Sequence, residues 1–304
     1  MYIQTVNGRV LPEDLGLTYI HEHLKADLSA HKGDPDTCYD DLPGVIAELK
    51  DLRHKGLGAI VEATNWGMGR DLTAMIQVAE QTGIKVIPST GVYKEPFLPS
   101  WVHTCTEKEL AAKMIGEIVQ GIGESGIQAH VIGEVGTSAE AITPLERKAL
   151  RAAARAHCET GHPLYTHTTL GRLGLEQVKL LKEMSVNLCK VVIGHTDLSS
   201  DPEIHLRLAS SGCYLGFDTV GKDKYQEDTV RAQRIKELVS RGFHEQIVLS
   251  QDLTRKSHLR ARGGIGYGYL LENFLPLLLE KGVEQRYIDA MLRDNPARLL
   301  AVEG

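Results

Sequence analysis

The chain has 304 residues, with 34 basic and 40 acidic side chains and a formal charge of −6, and it carries no dense Lys/Arg block; nucleic acid and anionic membrane are therefore excluded as main partners. At 42% hydrophobic and 24% charged, with a mean hydropathy of −0.18, it has the composition of a soluble globular protein. No apolar run reaches the roughly 18 residues of a membrane span, and Met1-Tyr2-Ile3-Gln4 does not open a basic-then-apolar leader, so a cytoplasmic location is expected.

The elements alternate between strand and helix. Leu17 to Leu24 is the first candidate strand. In an extended chain, residues i and i+2 share a face, so His21 and His23 project together and Glu22 turns away. Pro43 to Arg53 reads as a helix with Val45, Ile46, Leu49 and Leu52 on one stripe. Gly58 to Thr64 is apolar enough for a buried parallel strand. A helix over about Asp71 to Glu80 is stopped by Gly83, and Ile84 to Thr90 is the third strand. Thr106-Glu107-Lys108-Glu109 is a capping box, and Gln128 to Glu134 follows as strand four. Thr143-Pro144-Leu145-Glu146 opens a helix that runs to Gly161.

Strand five spans Pro163 to His167, followed by a helix over Leu175 to Met184. Strand six spans Lys190 to His195, and a helix runs from Asp201-Pro202 to Gly212. Strand seven spans Cys213 to Asp218, with a helix over Thr229 to Arg241 and strand eight over Gln246 to Asp252. The remainder reads as helix from Gly266 to Lys281 and from Glu284 to Arg293, with Asn295-Pro296 as a break. Eight such units without a linker predict one domain over residues 1–304, an α/β (β/α)8 TIM barrel. A doubly wound sheet is the alternative, but no G-x-G-x-x-G follows the first strand. The five cysteines are odd in number, widely spaced and without C-x-x-C; they read as reduced thiols, most of them buried.

The last inward residues of these strands form a set: His21 and His23, Glu134, His167, His195 and Asp252. In a barrel they converge on the C-terminal face, where barrel active sites lie. A lone histidine at a strand end is more often a satisfied polar residue than a ligand. Four imidazoles and two carboxylates together exceed what one catalytic zinc ion takes. They suit two metal ions bridged by a carboxylate and a solvent oxygen.

The chain resembles the phosphotriesterase-related branch of the amidohydrolase superfamily, and within it the bacterial phosphotriesterase homology proteins. The carriers are His-Glu-His at 21–23, Gly-Arg-Asp at 69–71, Thr-Gly at 90–91, Gly-Glu-Val-Gly-Thr-Ser at 133–138 and Thr-His-Thr at 166–168. They continue with Ile-Gly-His-Thr-Asp at 193–197, Phe-Asp-Thr at 217–219, Asp252 and Asn-Pro-Ala-Arg at 295–298. The resemblance implies a metal-dependent hydrolase with a binuclear site at the strand ends. His21, His23 and Asp252 would hold the more buried ion, His167 and His195 the more exposed one, and Glu134 the bridge. Phosphotriesterases proper bridge with a carboxylated lysine; a glutamate is shorter and needs no carbon dioxide to form. Organophosphate hydrolysis is thereby a less natural task than for those enzymes.

The implied chemistry is attack by a metal-bridging hydroxide on an ester-type bond, with Asp252 as catalytic proton shuttle. The ions are divalent, Zn²⁺ first, with Mn²⁺, Co²⁺ or Fe²⁺ accepted by the same ligands. The substrate expected is a small lactone, with or without a phosphate, since the basic loop side chains could grip an anionic group. Tyr93, Lys222, Arg255 and Lys256 are the substrate-binding candidates. Phosphotriesters or carboxylic esters on the same site, and a retired metal-binding scaffold, are the alternatives. Relatives are often dimers, so a homodimer is the expected assembly.

Overall fold

The computed structural model describes all residues 1–304. Eight parallel strands form the barrel: β1 (Leu17–Glu22), β2 (Leu57–Glu62), β3 (Lys85–Thr90), β4 (Val131–Thr137), β5 (Leu164–Thr168), β6 (Val191–Gly194), β7 (Tyr214–Phe217) and β8 (Ile247–Leu249). Each pairs with its sequence neighbours in order from β1 to β8, and helices cross between them. This is the (β/α)8 topology that eight alternating units predict.

The strands look uniformly apolar because both of their faces are covered. Ile20, Val61, Ile87, Val131, Tyr165, Val192, Tyr214 and Val248, one from each strand, fill the interior with Leu299 and Leu300. Tyr19, Ile60, Val86, Ile132, Leu164, Ile193, Phe217 and Leu249 face outward into the layer beneath the helices. There they meet stripes such as Val45, Ile46, Leu49 and Leu52 on the helix Leu42–His54. Both capping boxes form: Thr106 with Glu109, and Thr143 with Glu146.

No backbone ladder joins β8 to β1. Side chains make that junction. Ser250 Oγ accepts the His21 N–H at 3.1 Å and donates to Glu22 Oε1 at 2.8 Å. Glu22 also accepts N–H bonds from Gln251 (2.7 Å) and Leu253 (3.1 Å). The residue between the two histidines is thus a seam residue.

Several local expectations change. An antiparallel hairpin, Ile3–Thr5 with Gly8–Val10, precedes the barrel, and Tyr2 exchanges backbone bonds with Val302. Strand four begins at Val131 and runs past Glu134 to Thr137, with a register shift between Ile132 and Val135. Asn295-Pro296 does not break the chain, because Asn295–Leu300 is helical. The preceding turn, Ala290–Asp294, is a π-helix, and its wider i→i+5 spacing leaves room for a proline ring without an N–H. Pro276 follows a second π-turn, Leu270–Phe274, in the same way. Of the cysteines only Cys213 is buried; Cys38 and Cys105 are half-buried and Cys158 and Cys189 exposed. The exposed pair sit at helix ends, outside the covered stripes that would have buried them.

Candidate metal centre

Each of the six side chains expected at the rim is delivered by a strand end. A register irregularity between Tyr19 and Glu22 lets Ile20 pack inside the barrel while His21 reaches the rim. Glu134 and His195 each follow a glycine. A Cβ on Gly133 would stand 2.3 Å from Tyr165 O, and one on Gly194 would stand 2.4 Å from Thr166 O, so neighbouring strands approach there as only glycine permits. His195 (φ 56°) and Asp252 (φ 52°) adopt the left-handed backbone region, which turns their side chains inward as each strand ends.

His21, His23 and Asp252 form one group with ligand atoms within 4.8 Å of one another; Glu134, His167 and His195 form a second. Glu134 reaches both. Its Oε1 lies 3.6 Å from His21 Nε2 and 3.4 Å from His23 Nε2, and its Oε2 lies 2.8 Å from His167 Nδ1 and 3.8 Å from His195 Nε2. Asp252 Oδ1 stands 3.2 Å from His23 Nε2 and 3.8 Å from His21 Nε2. The His21 and His23 side chains have no exposure, whereas His167 retains 10%, so the two groups differ in access.

The outward nitrogens are fixed from behind. Asp218 accepts from His21 Nδ1 at 3.1 Å and from His195 Nδ1 at 2.8 Å, and Tyr165 donates its hydroxyl to the same carboxylate. An ionised carboxylate only accepts, so both Nδ1 atoms carry the proton and both Nε2 lone pairs point into the site. Thr64 Oγ1 receives His23 Nδ1 at 2.8 Å and donates to Glu62. These partners have the arrangement that orients metal-ligating histidines.

The buried Nε2 atoms of His21 and His23 have no hydrogen-bond partner. An unmade bond at a buried polar atom costs about 1–3 kcal/mol, and two such atoms turned toward the same carboxylates fit a cation. The electrostatics agree. Burial works to raise the pKa of Glu134, yet the charges of His21 and His167 hold it well below the ordinary range. Asp252 is likewise depressed against burial, first by Lys222. Burial lowers His23 and His195, but the carboxylates outweigh it and raise them to about 9 and about 10. Burial and then His195 push His167 the other way, down to about 4, so the attraction for a cation centres on the ionised carboxylates of Glu134 and Asp252.

Of the substrate-contact candidates, Tyr93 and Lys222 lie against the centre. Tyr93 OH is 3.3 Å from His167 Nε2, and Lys222 Nζ donates to Asp252 Oδ2. Arg255 and Lys256 are engaged elsewhere, Arg255 by Asp34 and Asp36, Lys256 by Asp40. Sequence reasoning assigned no role to Asp218, Thr64, Glu62 or Tyr165. Only Asp218 carried a signal, as the polar residue closing the apolar run Tyr214-Leu215-Gly216-Phe217.

Eight parallel strands with four imidazoles and two carboxylates gathered at their C-terminal rim define a metal-dependent hydrolase. The phosphotriesterase family model matches residues 1–300. The chain is 43% identical to the phosphotriesterase homology protein of Escherichia coli (strain K12), across 93% of this chain and 97% of that one. The crystal structure of that protein, complexed with phosphate in the active site, superposes with a TM-score of 0.93 at 42% identity, covering 95% and 99% of the two chains. A lactonase from Listeria monocytogenes superposes at 0.94 with 31% identity over 100% of both chains. The N-acetyltaurine hydrolase of Rattus norvegicus is 31% identical, across 98% of this chain and 97% of its own. The chain belongs to the phosphotriesterase family.

Proposed function

We propose that this protein is a binuclear metal-dependent hydrolase that opens a small lactone, preferentially one carrying a phosphate. The observation that carries the metal reading is the pair of unpartnered Nε2 atoms on His21 and His23, turned toward Glu134 and Asp252. In this reading His21, His23 and Asp252 hold one ion and His167 and His195 the other. The opposed placement of the Glu134 oxygens supports its role as bridge. Imidazole and carboxylate accept Zn²⁺, which we favour, and also Mn²⁺, Co²⁺ or Fe²⁺. Bound there, the ions would supply a Lewis acid and a water acidic enough to act as nucleophile near neutral pH.

The protein's own groups do the rest. Asp252 is held anionic by Lys222 and accepts the nucleophile's proton before passing it to the leaving oxygen. Tyr93 lines the approach beside His167. The basic side chains near the mouth, Lys94 and Lys222 among them, suit an anionic substrate better than a neutral phosphotriester. The lactonase likeness and the phosphate-bound relative support this choice. A second reading, cleavage of an N-acyl bond, is favoured by the likeness to N-acetyltaurine hydrolases of several animals, the rat protein among them.

The test is a panel of plain and phosphorylated lactones, a carboxylic ester, a phosphotriester and N-acetyltaurine on metal-loaded protein. His167→Asn and Asp252→Asn serve as controls. We expect about two metal ions per chain and fastest turnover of a phosphorylated lactone. Turnover of N-acetyltaurine without any lactone would replace the lactonase reading with the amide one, and failure to take up metal would remove both.

A further inference from the structure

Glu134 reaches both ligand groups, yet the backbone that carries it lies outside the regular ladder. β4 pairs with β3 through Val131 and Ile132, and with β5 through Ile132 and then Val135 to Thr137. Gly133 and Glu134 therefore have no register partner on either flank. Such an irregularity re-aims a side chain, but it withdraws the pairing that fixes the neighbouring residues. The Glu134 carboxylate must still stand within 3.8 Å of nitrogens on both sides.

Asn65 supplies what the ladder omits there. It follows β2, it is fully buried, and its Nδ2 donates to the backbone carbonyl of Glu134 at 2.7 Å. A carbonyl only accepts, so the amide nitrogen must be the atom that faces it. The amide oxygen, Oδ1, is buried and finds no partner within the protein. The bond to Glu134 is thus the only one this side chain makes, whereas an apolar side chain would fill the space without stranding an oxygen. Other grips on ligand carbonyls have further work. Gln177 holds His167 O but also Thr137 and Thr166, and Tyr267 holds His23 O but also meets Tyr39. Asn65 is itself placed by the wall of β2 and β3: the Trp66 N–H donates to Gly91 O at 3.1 Å and the Met68 N–H to Asn65 O at 3.2 Å. Its neighbour Thr64 stands behind His23 Nδ1. Consecutive residues of a segment without a ligand of its own therefore support a histidine of one group and the carboxylate common to both.

We propose that Asn65 is a positioning residue for Glu134: by holding the backbone carbonyl it sets how far the carboxylate reaches toward His167 and His195, and so whether two ions can share it. This rests on the binuclear reading above. If Glu134 recedes, His21, His23 and Asp252 still hold one ion, while the other keeps only His167 and His195. The loss therefore falls on the second ion.

The experiment is a Mn²⁺ titration of the full chain followed by electron paramagnetic resonance. It reads the two stepwise affinities and the exchange coupling between the ions, which a shared carboxylate transmits and which halves the hyperfine spacing of a single Mn²⁺. Asn65→Leu removes the donor and keeps the volume, and Asn65→Ala removes it with no chance of a clash, so the test survives if the first variant fails to fold. Both are expected to weaken the second step about tenfold, to leave the first as in the parent, and to replace coupled signal by single-ion signal. Tyr267→Phe, which also loses a buried bond to a ligand carbonyl, should keep the parental ratio of the two steps and the parental coupling. A parental ratio and coupling in the Asn65 variants overturn the proposal alone. Uncoupling in Tyr267→Phe to the same degree overturns it too, since any lost bond would then suffice. A parent that takes up a single ion, or two without coupling, removes the binuclear reading and this proposal with it.

Discussion

Asp218 stands behind two imidazoles of the rim cluster at once, accepting from Nδ1 of His21 and of His195. Replacing it by Asn exchanges an acceptor-only group for one with donors, which frees both rings to adopt the wrong tautomer. Asp218→Asn is expected to reduce metal affinity about 10- to 100-fold, read by equilibrium dialysis. The six rim residues were readable because each is the polar residue ending an apolar run. Asp218 ends such a run too, but its part depends on which ring nitrogen it meets, and that exists only once β1, β6 and β7 are side by side. His130, outside the cluster, has a structural part. Buried His130 accepts the Gln4 N–H at Nδ1 and bonds Leu300 O through Nε2, tying both ends of the chain to β4. Burial, then the neighbouring His162, pushes its pKa down to about 3. The folded state thus keeps the ring neutral while the unfolded chain protonates near 6.5. Its contribution is complete above about pH 6.5 and is lost as pH falls toward 3, at up to roughly 1.4 kcal/mol per pH unit. In denaturant titrations, stability should fall less steeply from pH 7 to 4.5 in His130→Gln than in the parent.

At the level of elements, the capping boxes and glycine stops were legible because they are local: four residues and one backbone geometry decide them. The N-terminal hairpin was not, since its three-residue strands are too short for a period and are held by distant groups such as Val86 O. The helix through Pro296 was missed for a related reason. A proline argues for a break unless the turn before it widens, and the sequence carries no sign of a π-turn. The end of that helix depends on a residue far away in the chain: Lys190 Nζ donates to the carbonyls of Arg298 (2.7 Å), Leu299 (3.0 Å) and Ala301 (2.5 Å). These are among the carbonyls that a helix terminus leaves without partners. Lys190→Met is expected to cost about 1–3 kcal/mol, seen as a lower unfolding midpoint in thermal melts.

For the molecule as a whole, the eight-unit alternation specified the barrel, and its two-sided core explains why the strands read as unbroken apolar runs. What the alternation could not show is that the wall is unequal around its circumference. Seven junctions are backbone ladders, and the eighth, between β8 and β1, relies on Glu22 and Ser250. The strands flanking that weak junction also supply His21 and His23 on one side and Asp252 on the other. An ion shared by these three would act as a rivet through the gap, so that loading the catalyst and closing the cylinder become a single event. Stripping the protein with a chelator should then speed hydrogen–deuterium exchange first in residues 17–24 and 247–253, ahead of the opposite wall around β4 and β5. Uniform loosening would show that the ion fastens nothing there.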